Sequence, residues 1–426
     1  MFKRICTSLS RLIPRFHSNP KSSKNSAFTI VELLVVIVVI GILASITIVS
    51  YSGISNKATV ASLQSDLTNA SNQLKLFQID NSNYPSTIST DCTANPDTTT
   101  NKCLKASSGA TYQYAVNNGS NPQTFYLFAT KGSTKYRIAN DSNPTEFTPA
   151  VATGGTITNV NGFRIHTFTT SDTFTVTNGG NVEVLVVGGG GGGGRSEANP
   201  GGDGGGGGGA GGLVYNQSYG ISQGSIPVTV GAGGSGSITQ NSRGSNGANS
   251  VFGVYTAIGG GGGGTDNGDY LGVNMGASGG SGGGAANSYS QVTAASSATS
   301  GQGNIGAGAT TSSTVNRGGS GGGGAGGVGI ERVSAVGGAG GVGLVNSITG
   351  NSTYYTAGGG GGGDATTGGL GGFGGGGAGG SSGSNGSIGV ANTGSGGGGG
   401  SSPPSGSIAG NGGSGGSGIV IIRYPN

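Results

Sequence analysis

Ser26-Ala27-Phe28-Thr29-Ile30-Val31-Glu32 opens an apolar run that continues almost unbroken to Val49. From Phe28 to Val49 the run is 22 residues, about 33 Å of helix, which is enough to cross a bilayer. Glu32 is the lone carboxylate in it. Left unpaired in lipid, such a group costs roughly a few kcal/mol, so it marks a functional position. Ahead of it, residues 1–27 carry Lys3, Arg4, Arg11, Arg15, Lys21 and Lys24 and no acid. A basic segment before an apolar span holds that end in the cytoplasm and sends the rest of the chain outward. A secretory signal peptide would have a shorter apolar core with its cleavage site after it, not before it.

The basic leader, the small Ala27 and then Phe-Thr-x-x-Glu-Leu-Leu-Val-Val-Ile from Phe28 resemble the class III signal of type IV prepilins, closely over residues 26–44. The resemblance implies cleavage between Ala27 and Phe28 by a prepilin peptidase, with N-methylation of the new Phe28 amine to methyl-phenylalanine. It also implies that Glu32 pairs with the Phe28 amine of a neighbouring subunit when helices bundle into a filament core. Ala27 stands where glycine is usual, and is still small. Many relatives have a proline late in this helix; none occurs here between Pro20 and Pro85, so any break would rest on Gly41.

The formal net charge is +4, but the leader holds six of the 19 basic residues. Without it, 13 basic face 15 acidic side chains, giving −2, and charge does not imply a nucleic-acid partner. Cys6 lies in the leader, which leaves Cys92 and Cys103 in a Thr/Asn-rich loop. Outside the cell they are expected to form one disulfide, which could stabilise by roughly 2–3 kcal/mol. Two thiols without a nearby histidine do not make a metal site; His17 is in the leader and His166 stands alone later on. No metal or cofactor is expected.

Val60, Leu63, Leu67, Ala70, Leu74 and Phe77 fall three and four apart, which predicts that the helix continues to about Asp80. Asn83-Tyr84-Pro85 should end it, an ending frequent in type IV pilin-like proteins and pseudopilins. Residues 111–116, 124–130 and 135–139 read as strands joined by turn chemistry. Helix followed by an antiparallel meander is the α+β head that the resemblance implies. Residues 140–161, rich in Thr, Asn and Pro, read as a linker.

Beyond residue 161 glycine dominates, with tracts at 188–194, 204–209, 259–264, 358–363 and 396–400. A disordered tail is one reading of such composition. Against it, Val182-Glu183-Val184-Leu185-Val186-Val187 leads into the first tract and Ile419-Val420-Ile421-Ile422-Arg423-Tyr424 closes the chain. Those two strands can bury their apolar surface only if the 231 residues between them, 188 to 418, bring the chain back to its start. Contiguous glycines and few prolines exclude collagen. What remains is a bundle of polyproline-II-type glycine helices held by backbone hydrogen bonds. The region 162–426 resembles glycine-rich domains of bacterial surface proteins and phage tail-fibre tips, which implies a polyglycine sandwich whose loops between the tracts do the recognising.

The expected division is leader 1–27, transmembrane and filament-core helix 28–49, head 50–139, linker 140–161 and glycine-rich domain 162–426. Loops near 265–275, 285–304 and 345–356 carry Asp266, Asp269, Tyr270, Tyr289, Tyr354 and Tyr355, a polar and aromatic mix suited to glycans or cell-surface proteins. The stretch from Asp266 to Leu271 is single and out of register for a calcium-binding repeat. The glycines match Gly-x-Gly-x-x-Gly by chance, outside any strand–turn–helix unit, and there is no P-loop. No catalytic constellation is present, so an enzyme is not expected. The leading expectation is a type IV pilus subunit, minor or at the tip, membrane-anchored with its C-terminus outside and carrying an adhesion domain for a host or partner-cell ligand. The alternatives are a pseudopilin of a type II secretion system and a DNA-uptake pilus component.

Overall fold

The computed structural model describes residues 29–118, 122–140, 142–197, 202–265, 271–287, 293–309, 317–404 and 408–425. Its first element is one continuous helix, α1 (Ile30–Asn81), which passes through Gly41 unbroken. From Leu33 to Ile40 every residue is exposed, so the helix is apolar on all faces there. Such a surface requires lipid or other apolar helices around it. Further on, Leu63, Leu67, Ala70 and Leu74 are buried, on the face that the spacing of apolar residues indicates. Ser82, at φ 61°, takes the left-handed turn that commonly closes a helix. The chain divides into two compact units between Thr59 and Val60.

In the second unit, β1 (Thr87–Ser89) pairs in parallel with β2 (Asn101–Cys103). Next, β3 (Thr111–Asn117), β4 (Thr124–Lys131), β5 (Thr134–Ala139) and β6 (Thr145–Glu146) form an antiparallel sheet in sequence order. Phe125, Leu127, Tyr136 and Ile138 alternate onto one face and pack on Leu63, Leu67 and Leu74. This is the α+β head.

Residues 140–161 differ from the linker expected. They hold β6, β7 (Val151–Thr153) and β8 (Thr156–Val160). Both β7 and β8 are edge strands, and β8 is almost wholly exposed. An edge strand that buries little needs no apolar alternation, so its Thr/Asn sequence looks like linker.

Then come β9 (Phe163–Phe168), β10 (Asp172–Asn178), β11 (Gly180–Val187), β12 (Leu213–Ile221), β13 (Gly224–Thr229), β14 (Ser250–Phe252), β15 (Tyr255–Ala257) and the short α2 (Leu271–Asn274). A hairpin of β16 (Leu344–Asn346) and β17 (Thr353–Tyr355) precedes the closing strand β18 (Ile419–Pro425). Two five-stranded sheets result, ordered β15-β14-β13-β10-β7 and β12-β11-β18-β9-β8. The closing strand lies directly on β11, with Val187 opposite Ile419 and Glu183 opposite Arg423. Val184, Val186, Val420 and Ile422 pack toward the first sheet with Phe168, Phe174 and Phe252. Leu185, Val187, Ile419 and Ile421 pack on the other side with Ile348 and Tyr355. Burial on both faces is why these two strands are continuous apolar runs.

Between them, the glycine tracts among the described residues fold as an array of glycine helices. Tract 188–194 lies inside it, and its N–H groups point three ways, repeating every third residue. Gly188, Gly191 and Gly194 donate to Gly212, Gly209 and Gly206; Gly189 and Gly192 to Ala248 and Ser245; Gly190 and Gly193 to Gly416 and Gly413, at 2.8–3.0 Å. Its carbonyls accept from three further tracts, at Gly260 and Gly263, Gly234 and Ser237, and Gly397 and Gly400. Six neighbours around one helix with a three-residue repeat is polyglycine-II packing. Tract 204–209 is surrounded in the same way, by the chain at 188–194, 258–264, 281–284, 317–323, 359–362 and 394–400. A Cβ at any residue from Gly188 to Gly194 would sit 1.8–2.5 Å from a neighbouring backbone oxygen, so only glycine fits. Backbone hydrogen bonds here take the place of a side-chain core.

Candidate functional site

At the start of α1, Glu32 folds back on Thr29. Its carboxylate accepts from the Thr29 N–H at 2.9 Å and the Thr29 hydroxyl at 2.8 Å, while the Glu32 N–H donates to Thr29 Oγ1 at 3.2 Å. This reciprocal pair is a capping box, which satisfies N–H groups that a helix start leaves open. The Thr29-x-x-Glu32 spacing carried that signal in the sequence, beside the filament role assigned to Glu32 there. Ala27 and Phe28, the expected processing residues, lie outside the described residues.

Cys92 and Cys103 form the expected disulfide, with Cα atoms 5.4 Å apart. The loop that it closes is also tied by Asp97, whose carboxylate accepts from the Cys103 N–H at 2.7 Å and pairs with Lys102. The Lys102 hydrogen bond, then the Cys103 N–H, hold the Asp97 carboxyl below its ordinary range.

The glycine helices run between two ends. At one end they continue into β11, β12 and β18. At the other, Gly194, Gly206, Gly264 and Gly284 lie level with one another through successive hydrogen bonds. Asp266, Asp269, Tyr270 and Tyr289 lie outside the described residues; the flanking Thr265 and Asn287 are at this second end. Beneath it is a buried polar floor that sequence reading missed. Arg317 pairs with Asp203 at 2.8 Å. The Arg317 N–H donates to Asp364 at 2.8 Å, and Ser402 Oγ to the same carboxylate at 2.9 Å. Arg332 donates to Asn287 Oδ1 at 2.8 Å. These residues are scattered among polar loops in sequence, and only the tract order brings them together.

Tyr354 and Tyr355 are at the end opposite to Thr265 and Asn287. Tyr355 is 3 % exposed and packs on Leu185 and Val187. Strand alternation turns it inward, which removes it from any ligand surface. Tyr354 faces outward, its ring 4.8 Å from that of Phe373.

Residues 167–425 match a family profile described as glycine-rich domain. The chain belongs to this glycine-rich domain family. Residues 22–48 match the prokaryotic N-terminal methylation motif. Proteins named type II secretion system core protein G are similar to part of it. Those from Aeromonas hydrophila, Escherichia coli K12 and Vibrio cholerae are 39 %, 38 % and 37 % identical over 64, 66 and 67 residues. These stretches are 15–16 % of this chain and 45–46 % of those proteins, so it spans less than half the length of the curated relatives it matches. The N-terminal part of this glycine-rich domain protein is therefore similar to pilin-like and pseudopilin proteins, and among the described residues one helix, α1, is long and apolar enough to cross a membrane.

Proposed function

We propose that this subunit carries its glycine-rich domain outside the cell as a binding module on a type IV surface filament, at a minor or tip position. The observation that supports this most is the buried ionic cluster of Asp203, Arg317, Asp364 and Arg332 at the second end of the glycine array. A spacer has no use for such a fixed ionic cluster. A domain of 259 matched residues on every subunit would also crowd a helix-bundle filament, which favours a minor position. The test compares cells making the full chain with cells that lack it. Filaments should form in both, and attachment to target surfaces should drop at least several-fold in the second.

The curated relatives favour a second reading, a pseudopilin of a type II secretion system. Unchanged attachment, with secreted hydrolases retained inside cells that lack the chain, would decide for it. Neither reading asks for catalysis.

A further inference from the structure

We propose that the outer layer of the glycine array, formed by residues 369–373, 375–379 and 386–390, docks face to face on the same layer of a second copy of this chain. This rests on the reading of the domain as a binding module outside the cell and names its partner.

Three chain segments make the layer. The Gly379 and Gly376 N–H groups donate to Gly369 and Gly372 on one flank, and those of Ser387 and Val390 to Ala378 and Gly375 on the other, at 2.8–3.2 Å. The layer rests on tracts 358–363 and 396–400, through bonds such as Gly372 N–H to Gly358 O and Gly377 N–H to Gly396 O, both 2.9 Å. These pairings set the levels across it. Leu370 and Ile388 stand level with Ala378 between them, and Phe373 and Val390 with Gly375 between them. The two flanking segments are thus ridges of large side chains. The middle one, glycine except for Ala378, is the trough between them. Tyr354 stands beside one ridge, its ring 4.8 Å from that of Phe373.

Leu370 is 76 % exposed, Ile388 72 %, Phe373 68 % and Val390 53 %. Large apolar side chains left this open on adjacent segments mark an interaction face. No Asp, Glu, Lys, Arg or His occurs between Ala365 and Ile422, so the layer carries no charge. It offers a charged partner nothing to pair with, and it meets its own copy without repulsion.

Shape and area favour the second copy. Under a two-fold axis the Leu370–Phe373 ridge of each copy enters the trough of the other, a self-complementary contact of the kind that closed pairs use. At roughly 100–200 Å² for each such side chain, these four and Tyr354 expose on the order of 500 Å². Two copies together bury on the order of 1,000 Å², the level that a specific interface clears. A contact of this size pairs weakly, in the micromolar range.

The test places the full chain one copy to a phosphatidylcholine nanodisc, so that the membrane helices of different copies cannot meet. Sedimentation velocity should show single discs giving way to pairs as concentration rises through the micromolar range. Leu370→Asp puts a carboxylate into the contact and should weaken pairing by about tenfold or more. Val254 is equally exposed, at the turn between β14 and β15, and Val254→Asp should pair as the native chain does. Both sites are open to solvent, so neither substitution disturbs the fold. Discs that stay single at every concentration, or pairs that form equally with Leu370→Asp, would overturn the proposal. If native discs stay single while Leu370→Asp filaments lose attachment to target surfaces, the layer serves a foreign apolar partner and the proposal is again overturned. In that case the binding-module reading stands. Discs that pair as expected, on a chain whose loss leaves attachment unchanged, would remove attachment to foreign surfaces from that reading and keep the self-docking layer.

Discussion

Glu32 has two uses for one carboxylate. Within its own helix it closes a capping box with Thr29; in a filament it is proposed to meet the Phe28 amine of a neighbour. Substitution separates these roles, because glutamine can also serve the box but carries no charge. Glu32→Gln and Glu32→Ala should both insert into membranes, and both should be lost from sheared filaments on immunoblots if charge pairing is the role. If Gln is incorporated like the native residue, the cap is sufficient. Mass spectrometry of the surface form should find methyl-Phe28 at its N-terminus, and an intact Met1 there would defeat the processing assignment. His166 offers a second test. It is fully buried, with Nδ1 2.8 Å from Gly154 O and Nε2 2.8 Å from the Tyr424 hydroxyl. Burial, opposed by the Gly154 hydrogen bond and assisted by Arg164, lowers its pKa from the ordinary value. The unfolded chain therefore takes up a proton first as pH falls below about 6.5, and stability declines from there toward the lower folded value. Urea midpoints should fall between about pH 7 and pH 5 in the native protein, and His166→Gln should flatten that slope.

Elements show what could be read in the sequence and what could not. The helix, the head strands, β11 and β18 follow from apolar spacing, because their side chains record which way they face. In the glycine array the carriers of order are N–H and C=O groups, which every residue has. Tracts 188–194 and 204–209 are therefore interchangeable as text, and their six-neighbour order had to come from the structure. Strands β7 and β8 were hidden for a related reason, since edge strands bury little. The array makes a sharp prediction. A Cβ on Gly192 would lie 2.1 Å from Ser235 O, whereas one on Gly220 meets Asn181 Oδ1 at an ordinary 3.5 Å. Gly192→Ala should cost about 3 kcal/mol or more, beyond usual overpacking because backbone cannot step aside. Gly220→Ala should change stability by less than about 1 kcal/mol. Chemical denaturation followed by circular dichroism would measure both, and equal effects would argue against the hydrogen-bonded array. Glu183→Ala leaves Arg423 buried without its partner and should cost about 3–5 kcal/mol, seen as a shifted midpoint in the same experiment.

At the scale of the molecule, the head and the glycine-rich domain belong to one compact unit that begins at Val60. Phe128 of the head packs edge-on against Phe163 of the glycine-rich domain at 5.9 Å, and against Phe147 at 5.1 Å. Polar ties flank this cluster: Thr124 donates to Gln217 at 2.6 Å and Arg137 to Ser218 at 3.2 Å. Arg423, held by Glu183 on β11, lies over the Phe163 ring at 4.9 Å. The interface thus runs directly into the two strands that close the glycine array. A load on the glycine-rich domain would pass to the head through packed rings and sheet hydrogen bonds. The 140–161 segment could not swing freely, since its strands belong to the sheets. Calorimetry of the full chain should accordingly give one transition for residues 60–426 as a cooperative unit. Phe163→Ala removes the central ring and should lower stability by about 3–5 kcal/mol, splitting that transition into a head component and a glycine-rich component. Two transitions in the native protein, unchanged by the substitution, would mean that the two parts unfold independently despite their contact.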